Sequence, residues 1–126
     1  MQNKSLDDCL KEANELVPRL SFEETIDFIK NKETVIIDVR EESEVINYGL
    51  IKEAIHIPRG LIEFKLSPNS PNNPVEIKDS TNILVYCAGG YRSALAGKTL
   101  IELGFPNVFN IGAVSYTHLR AHETLL

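Results

Sequence analysis

The fold is decided by residues 82–103, which read NILVYCAGGYRSALAGKTLIEL. An apolar run ends at Cys87, a short glycine-rich bend follows, and an amphipathic stretch begins near Ser93. This order predicts a buried strand that delivers a thiol to a loop, and a helix that starts directly after the loop. The apolar face of that helix is expected to carry Leu95, Ala96, Thr99, Leu100 and Leu103. Cys87 is therefore the first candidate for a nucleophile.

The size and composition of the chain indicate one globular domain. It has 126 residues, of which 43% are apolar and 25% charged, and a net charge of −5. The negative charge argues against a nucleic-acid or membrane partner, and no apolar run approaches the roughly 20 residues that span a bilayer. The polar N-terminus does not resemble a secretory signal. The two cysteines, Cys9 and Cys87, are too few for a disulfide scaffold, which favours a reduced, cytoplasmic setting.

Two helix starts are marked near the N-terminus. Ser5 and Ser21 are each followed by an acidic residue three positions later, which is the pattern of a capping box. The first helix is expected to end before Pro18, because proline cannot continue a helix. Cys9 lies on the apolar stripe of that helix and is expected to be a small buried hydrophobic residue.

Strands and helices then alternate along the chain. Apolar and β-branched runs predict strands at residues 34–39, 54–57, 83–86 and 108–111. A short helix is expected over residues 41–47, and the proline-rich residues 67–81 form a long surface connection. This alternation predicts an α/β fold with a parallel sheet covered by helices on both faces.

Three features near Cys87 favour the reactive thiolate over the thiol. Gly89 and Gly90 allow backbone N–H groups to line an anion-sized cup, and the following helix points its positive end at the same place. Arg92 adds a permanent cation able to hold an anionic substrate. Ser93 either caps the helix or donates one more hydrogen bond. The alternative is a structural cysteine in a tight turn, but this order of residues before a helix favours a functional thiol.

Other kinds of site are not supported. His56 has no second ligand nearby, and His118 with His122 gives two ligands without a third, so no metal site is expected. The glycines lack the spacing of a nucleotide-binding loop, so no cofactor is expected. No histidine is marked as the partner of a cysteine protease.

Four stretches together resemble the rhodanese-like sulfurtransferases. CAGGYRS, preceded by ILVY and followed by ALA, resembles the active-site loop of that family. VIIDVRE at 35–41, GLIKEAIHIPRG at 49–60 and GFPNVFNIG at 104–112 resemble other family segments in the expected order. LIEFKLSP, after residue 60, resembles a single-domain branch with a long loop before the catalytic strand. The resemblance covers about residues 20–112 and implies a three-layer α/β/α fold with a central parallel sheet.

The resemblance also implies a mechanism. Cys87 would take the sulfane sulfur of thiosulfate or of a persulfide donor and hold it as a persulfide, before passing it to cyanide or to a thiol, including a protein thiol. Arg92 would orient the anionic donor, with Arg59 as a weaker candidate, while Asp38 and Arg40 would form a structural pair near a strand end. The loop that stabilises the anion would consist of Ala88, Gly89, Gly90, Tyr91, Arg92 and Ser93.

Two alternatives remain open at this stage. Related domains with a C-x5-R loop act as phosphatases or arsenate reductases, but Cys87 and Arg92 are in a shorter C-x4-R arrangement, which favours sulfur over phosphate. The domain is otherwise a persulfide carrier or a protein-binding module without small-molecule turnover. The oligomeric state, the physiological donor and the acceptor are not determined by the sequence.

The sequence departs from the family pattern at several positions. Leu50 replaces the usual histidine, Glu53 replaces a frequent glycine, and Ala113 replaces the second glycine of a Gly-Gly pair. The terminal stretch VSYTHLRAHETLL resembles translated sequencing-adapter read-through, so residues 113–126 are expected to be an atypical, non-native tail. Residues 1–19 are expected to form a helical extension, and residues 20–112 the rhodanese-like domain.

Overall fold

The computed structural model describes residues 2–111 of the chain. The helices are Leu6–Leu16 (α1), Phe22–Asn31 (α2), Glu42–Tyr48 (α3), Ile62–Leu66 (α4) and Tyr91–Glu102 (α5), with a 3₁₀ turn at Arg59–Leu61. The strands are Thr34–Asp38 (β1), Ile55–His56 (β2), Asn82–Tyr86 (β3) and Val108–Asn110 (β4). The proposed tail, with His118 and His122, lies outside the described residues. No helix in the described part of the chain is long and apolar enough to cross a membrane.

The strands form one parallel sheet in the order β2-β1-β3-β4. The chain passes from β1 outward to β2 at one edge of the sheet, and from β3 outward to β4 at the opposite edge. Ligands of such sheets bind where the connections diverge, at the carboxyl ends of the two central strands. Asp38 ends β1 and Cys87 follows β3, so both lie at this edge.

Side chains of the sheet alternate between two cores, as the two-residue period of a strand requires. Ile37, Ile83 and Val85 face one core. Helices α4 and α5 and the residue just after α1 cover it, with Val17, Ile62, Leu66, Ala96 and Leu100. Ile36, Leu84 and Tyr86 face the other core, which α2 and residues 50–54 cover. The expected parallel sheet with helices on both faces is thereby confirmed.

Helix α1 packs closely on α5. A Cβ atom on Gly97 of α5 would lie 2.9 Å from Cγ1 of Val17, just after α1, so this contact has room only for glycine. Lys98 reinforces the contact with an ion pair to Glu12 at 3.1 Å. The N-terminal extension therefore forms part of the described core.

Some element boundaries differ from the sequence-based expectations. The capping boxes at Ser5 and Ser21 are present as predicted. Helix α5 begins at Tyr91, two residues earlier than expected, because Gly90 adopts a left-handed conformation and becomes the N-cap residue. The helical turns over residues 59–66 were not anticipated, since their apolar residues follow no extended period. Cys9, expected to be buried, is only partly buried.

Candidate active site

Cys87 lies between the end of β3 and the start of α5, with 1% of its surface exposed. Its Sγ accepts a hydrogen bond from the N–H of Gly90 at 3.1 Å and another from the N–H of Ser93 at 3.4 Å. Ser93 lies in the first turn of α5, so the sulfur occupies the acceptor position that an N-cap side chain usually fills. Helix α5 therefore directs its positive end at the sulfur atom.

The two loop glycines have different roles. Gly90 has a φ of 86°, a left-handed conformation that glycine adopts without a steric penalty. Gly89 has no such requirement, and a Cβ atom there would make ordinary contact with the ring of Tyr91 at 3.4 Å. The four amides at the start of a helix lack partners within the helix. Two of them bind Sγ, whereas those of Tyr91 and Arg92 have no acceptor among residues 2–111.

A buried polar network lies beside the thiol. The Ser93 hydroxyl donates to Oδ1 of Asn110 at 2.8 Å and lies 3.4 Å from Sγ of Cys87. The Asn110 side-chain amide donates in turn to the carbonyl of Gly90 at 3.2 Å. Ser93 is thus not the N-cap of α5; it links the thiol to β4.

Arg92 forms an ion pair with Glu44 of α3. Its guanidinium donates to both carboxylate oxygens, at 2.6 and 2.9 Å. The hydrogen bond from Arg92 is the main cause that lowers the pKa of Glu44 to about 2, and the same contact raises the pKa of Arg92. The Arg92 guanidinium, which the sequence predicts to orient an anionic donor, is therefore already paired with the Glu44 carboxylate.

Arg59, the weaker candidate, points elsewhere. Its guanidinium bonds to Glu63 at 3.3 Å and to the hydroxyl of Thr99 at 3.1 Å. Thr99 lies six residues after Ser93 in α5, about 9 Å along the helix axis at 1.5 Å per residue. The structure therefore does not bring the Arg59 guanidinium to the Cys87 loop.

Asp38 and Arg40 form a buried pair at the end of β1. Nη2 of Arg40 lies 2.6 Å from Oδ2 of Asp38 and 2.7 Å from the carbonyl oxygen of Gly49. The guanidinium also lies over the ring of Tyr86, and burial, followed by the charge of Asp38, raises the pKa of that phenol. The Tyr86 hydroxyl accepts from the N–H of Ile51, so the pair and the ring together fix the chain after α3.

Three residues near the loop were not found by sequence reasoning. Asn110 could have been identified from the sequence, because asparagine is depleted in strands and this one ends an apolar strand. No feature of the sequence indicates that Glu44 lies near the loop, since its pairing with Arg92 depends on how α3 is placed. Arg19, between α1 and α2, places Nη2 3.4 Å from the carbonyl oxygen of Gly90, and its position depends on the packing of α1.

Metal ligation finds no support in the described range. Among residues 2–111, no group of three His, Cys, Asp or Glu residues is placed to hold a metal ion. His56 instead contacts the carbonyl oxygen of Arg40 at 2.7 Å. His118 and His122 lie outside the described residues.

Comparison with known proteins places this geometry in a family. Residues 21–113 match the family model of the rhodanese-like domain. The chain belongs to the rhodanese-like family. The resemblance inferred from four stretches of sequence is thereby confirmed.

Three similar proteins illustrate the range of the family. A tRNA uridine(34) hydroxylase from Prochlorococcus marinus is 35% identical over 66% of this chain, which covers 27% of the hydroxylase. A sulfurtransferase from Allochromatium vinosum is 28% identical over 64% of this chain and 66% of its own length. A solved protein from Rhodopseudomonas palustris, described as a possible tyrosine phosphatase, is 29% identical with a TM-score of 0.84, covering 100% of this chain and 97% of its own. This rhodanese-like domain thus spans about a quarter of the hydroxylase, and its relatives include sulfurtransferases.

Proposed function

We propose that this rhodanese-like domain transfers a sulfane sulfur from thiosulfate or a persulfide donor to a thiol or cyanide, through a persulfide on Cys87. One observation carries the proposal: the amides of Gly90 and Ser93 bind Sγ, while those of Tyr91 and Arg92, at the same helix start, have no acceptor within residues 2–111. A second sulfur on Sγ extends about 2 Å further, which is the length of an S–S bond. The unclaimed amides are suited to hold that outer sulfur as an anion.

The reaction then proceeds in two displacements. The Cys87 thiolate attacks the outer sulfur of thiosulfate, whose S–S bond breaks with its electron pair leaving on sulfite. The new S–S bond leaves Cys87 as a persulfide. The acceptor, a thiolate or cyanide, attacks the outer sulfur, and the electron pair of the broken S–S bond returns to Cys87.

The decisive experiment compares the two cysteines. Cys87→Ser is expected to lower thiosulfate-to-cyanide sulfur transfer at least about a hundredfold, because serine cannot form the intermediate. Cys9→Ser is the matched control and is expected to retain activity, since Cys9 lies on α1 away from the loop. Transfer that survives Cys87→Ser overturns the proposal.

A persulfide carrier is the second candidate, because Cys87 is 1% exposed and a small acceptor has limited access to its sulfur. Incubation with thiosulfate should add about 32 Da, one sulfur atom, at Cys87 in either case. Rapid loss of this mass on adding cyanide supports the transferase. A stable adduct that only a protein thiol discharges supports the carrier.

Phosphatase activity is the third candidate, in view of the description of the Rhodopseudomonas palustris protein. The C-x4-R loop is one residue shorter than the phosphatase arrangement, and Arg92 is engaged by Glu44 rather than turned toward a phosphate site. We expect an aryl phosphate to be hydrolysed no faster by the wild type than by Cys87→Ser. A Cys87-dependent rate would reverse this ranking.

A further inference from the structure

Arg19 reaches the Cys87 loop from outside the sequence motif. Its Nη2 lies 3.4 Å from the carbonyl oxygen of Gly90 and 2.9 Å from the point that a Cβ atom on Gly90 would occupy. The backbone on both sides of Arg19 is held to β4, because Asn110 donates to the carbonyl of Pro18 at 2.9 Å and accepts from the N–H of Leu20 at 3.1 Å. The guanidinium is therefore delivered to the loop from a fixed backbone.

In the described part of the chain, the charge of Arg19 is not neutralised by a carboxylate. Within residues 2–111, no carboxylate forms an ion pair with it, and the Gly90 carbonyl occupies one of its five N–H donors. Arg92, by contrast, shares its charge with Glu44 through two hydrogen bonds. Of these two arginines beside the loop, Arg19 has the greater capacity to bind an additional anion.

The distance also fits a small anionic donor. The amide nitrogen of Gly90 lies 3.1 Å from Sγ. Nη2 of Arg19 lies 2.9 Å from the Cβ position of the same residue. Standard bond geometry between that amide and that Cβ position therefore places Nη2 less than about 9 Å from Sγ. A donor whose outer sulfur contacts Sγ carries its anionic oxygens about 3 Å beyond that sulfur, through one S–S and one S–O bond. A charge-assisted hydrogen bond of about 2.8 Å then closes the remaining gap.

We propose that Arg19 binds the anionic group of the sulfur donor, so that this site prefers donors with a sulfonate or carboxylate group next to the sulfane sulfur. The proposal rests on the sulfurtransferase function proposed above. It gives Arg19 the role that the sequence suggested for Arg92.

The test compares two alkylating reagents that differ in charge, iodoacetate and iodoacetamide, in a Cys9→Ser background. The measured quantity is the alkylation rate of Cys87 by iodoacetate divided by its rate with iodoacetamide. Arg19→Met is expected to lower this ratio by about threefold to tenfold, because the cation that attracts the anionic reagent is removed. Arg19→Lys should restore part of the ratio. Lys30→Met, which removes an equal charge from the last turn of α2, should change the ratio less than about twofold.

In the sulfur-transfer assay, Arg19→Met should raise the KM for thiosulfate more than it lowers kcat.

The outcomes separate this proposal from the enzymatic one. An equal loss of rate with both reagents would mean that Arg19 braces the loop, and a loss of selectivity in Arg92→Met but not in Arg19→Met would return the role to Arg92; either result overturns the proposal. If wild type transfers no sulfur while Arg19→Met still lowers the ratio, the anion site stands and the sulfurtransferase function fails.

Discussion

Arg92 and Glu44 form a two-point ion pair, with nitrogen-to-oxygen distances of 2.6 and 2.9 Å, that joins the first turn of α5 to α3. The pair offsets the positive charge of the loop motif with a carboxylate. Its removal therefore changes both the charge of the site and the attachment of α3.

Glu44→Gln is expected to raise kcat/KM for thiosulfate by about twofold to fivefold, because the Arg92 charge is no longer offset by a carboxylate while glutamine preserves the shape of its partner. Steady-state sulfur transfer measures the effect. Glu42→Gln, at an exposed position of the same helix, is the control for net charge. A decrease in Glu44→Gln would show instead that the ion pair is needed to hold the loop.

The same pair predicts a stability change at acid pH. The folded-state pKa of Glu44, about 2, lies below its ordinary value of 4.5, so the stabilisation is complete above pH 4.5 and is lost as the pH falls toward 2. Arg92 is 35% exposed, so we expect about 1 kcal/mol after solvent screening. Urea unfolding of wild type and Glu44→Gln should differ by this amount near neutral pH and converge in acid. A difference independent of pH would contradict the assignment.

Ser93→Ala is expected to cost about 1–3 kcal/mol of unfolding free energy, because Oδ1 of Asn110 loses the Ser93 hydroxyl in a buried site. Alkylation of Cys87 by iodoacetamide should also slow, since the sulfur loses a polar neighbour at 3.4 Å. Ser43→Ala on the exposed surface of α3 is the control for both measurements. Unchanged stability would mean that water replaces the hydroxyl.

Arg40→Met is expected to destabilise the fold by about 3–5 kcal/mol, because it leaves the buried Asp38 carboxylate without its cation. Adding Asp38→Asn to this variant removes the uncompensated charge and should recover at least about 1 kcal/mol. Denaturant unfolding of the four proteins in this cycle measures the coupling. Strict additivity of the two changes would argue against an interaction between the side chains.

Glu53→Gly is expected to stabilise the protein by about 0.5–1 kcal/mol. Glu53 has a φ of 68°, a left-handed conformation that is costly for residues with a Cβ atom and free for glycine. Glu53→Ala retains the Cβ atom and should give no such gain. Thermal unfolding compares the variants, and equal melting temperatures for the glycine and alanine variants would refute the argument.

The sequence predicted those features whose causes are local. Capping boxes defined the starts of α1 and α2, and apolar runs defined the central strands. The loop itself was predictable because a cysteine, two glycines and the start of a helix follow one another within a few positions. Glu53 also fits this pattern, because the glycine that the family often has at that position agrees with the left-handed backbone found there.

Features that depend on distant contacts were not predictable. Arg92 appeared free in the sequence because Glu44 is 48 positions away, and only the placement of α3 brings them together. Arg19 reaches Gly90 across 71 positions, which no local pattern encodes. The sequence allows Ser93 to cap α5, but Gly90 is the N-cap residue, Sγ of Cys87 accepts from the Ser93 amide, and the Ser93 hydroxyl donates to Asn110.

The burial of Cys87 has a consequence for chemical durability. A sulfur atom that is 1% exposed and bound by two amides presents little surface to peroxides, which convert exposed thiolates to sulfenic and then irreversible sulfinic acids. Under the proposed sulfur transfer, a donor bound against Cys87 covers the same small exposed area. Inactivation by peroxide is then expected to be slower with thiosulfate present than without it, and this is measured as loss of sulfur-transfer activity over time.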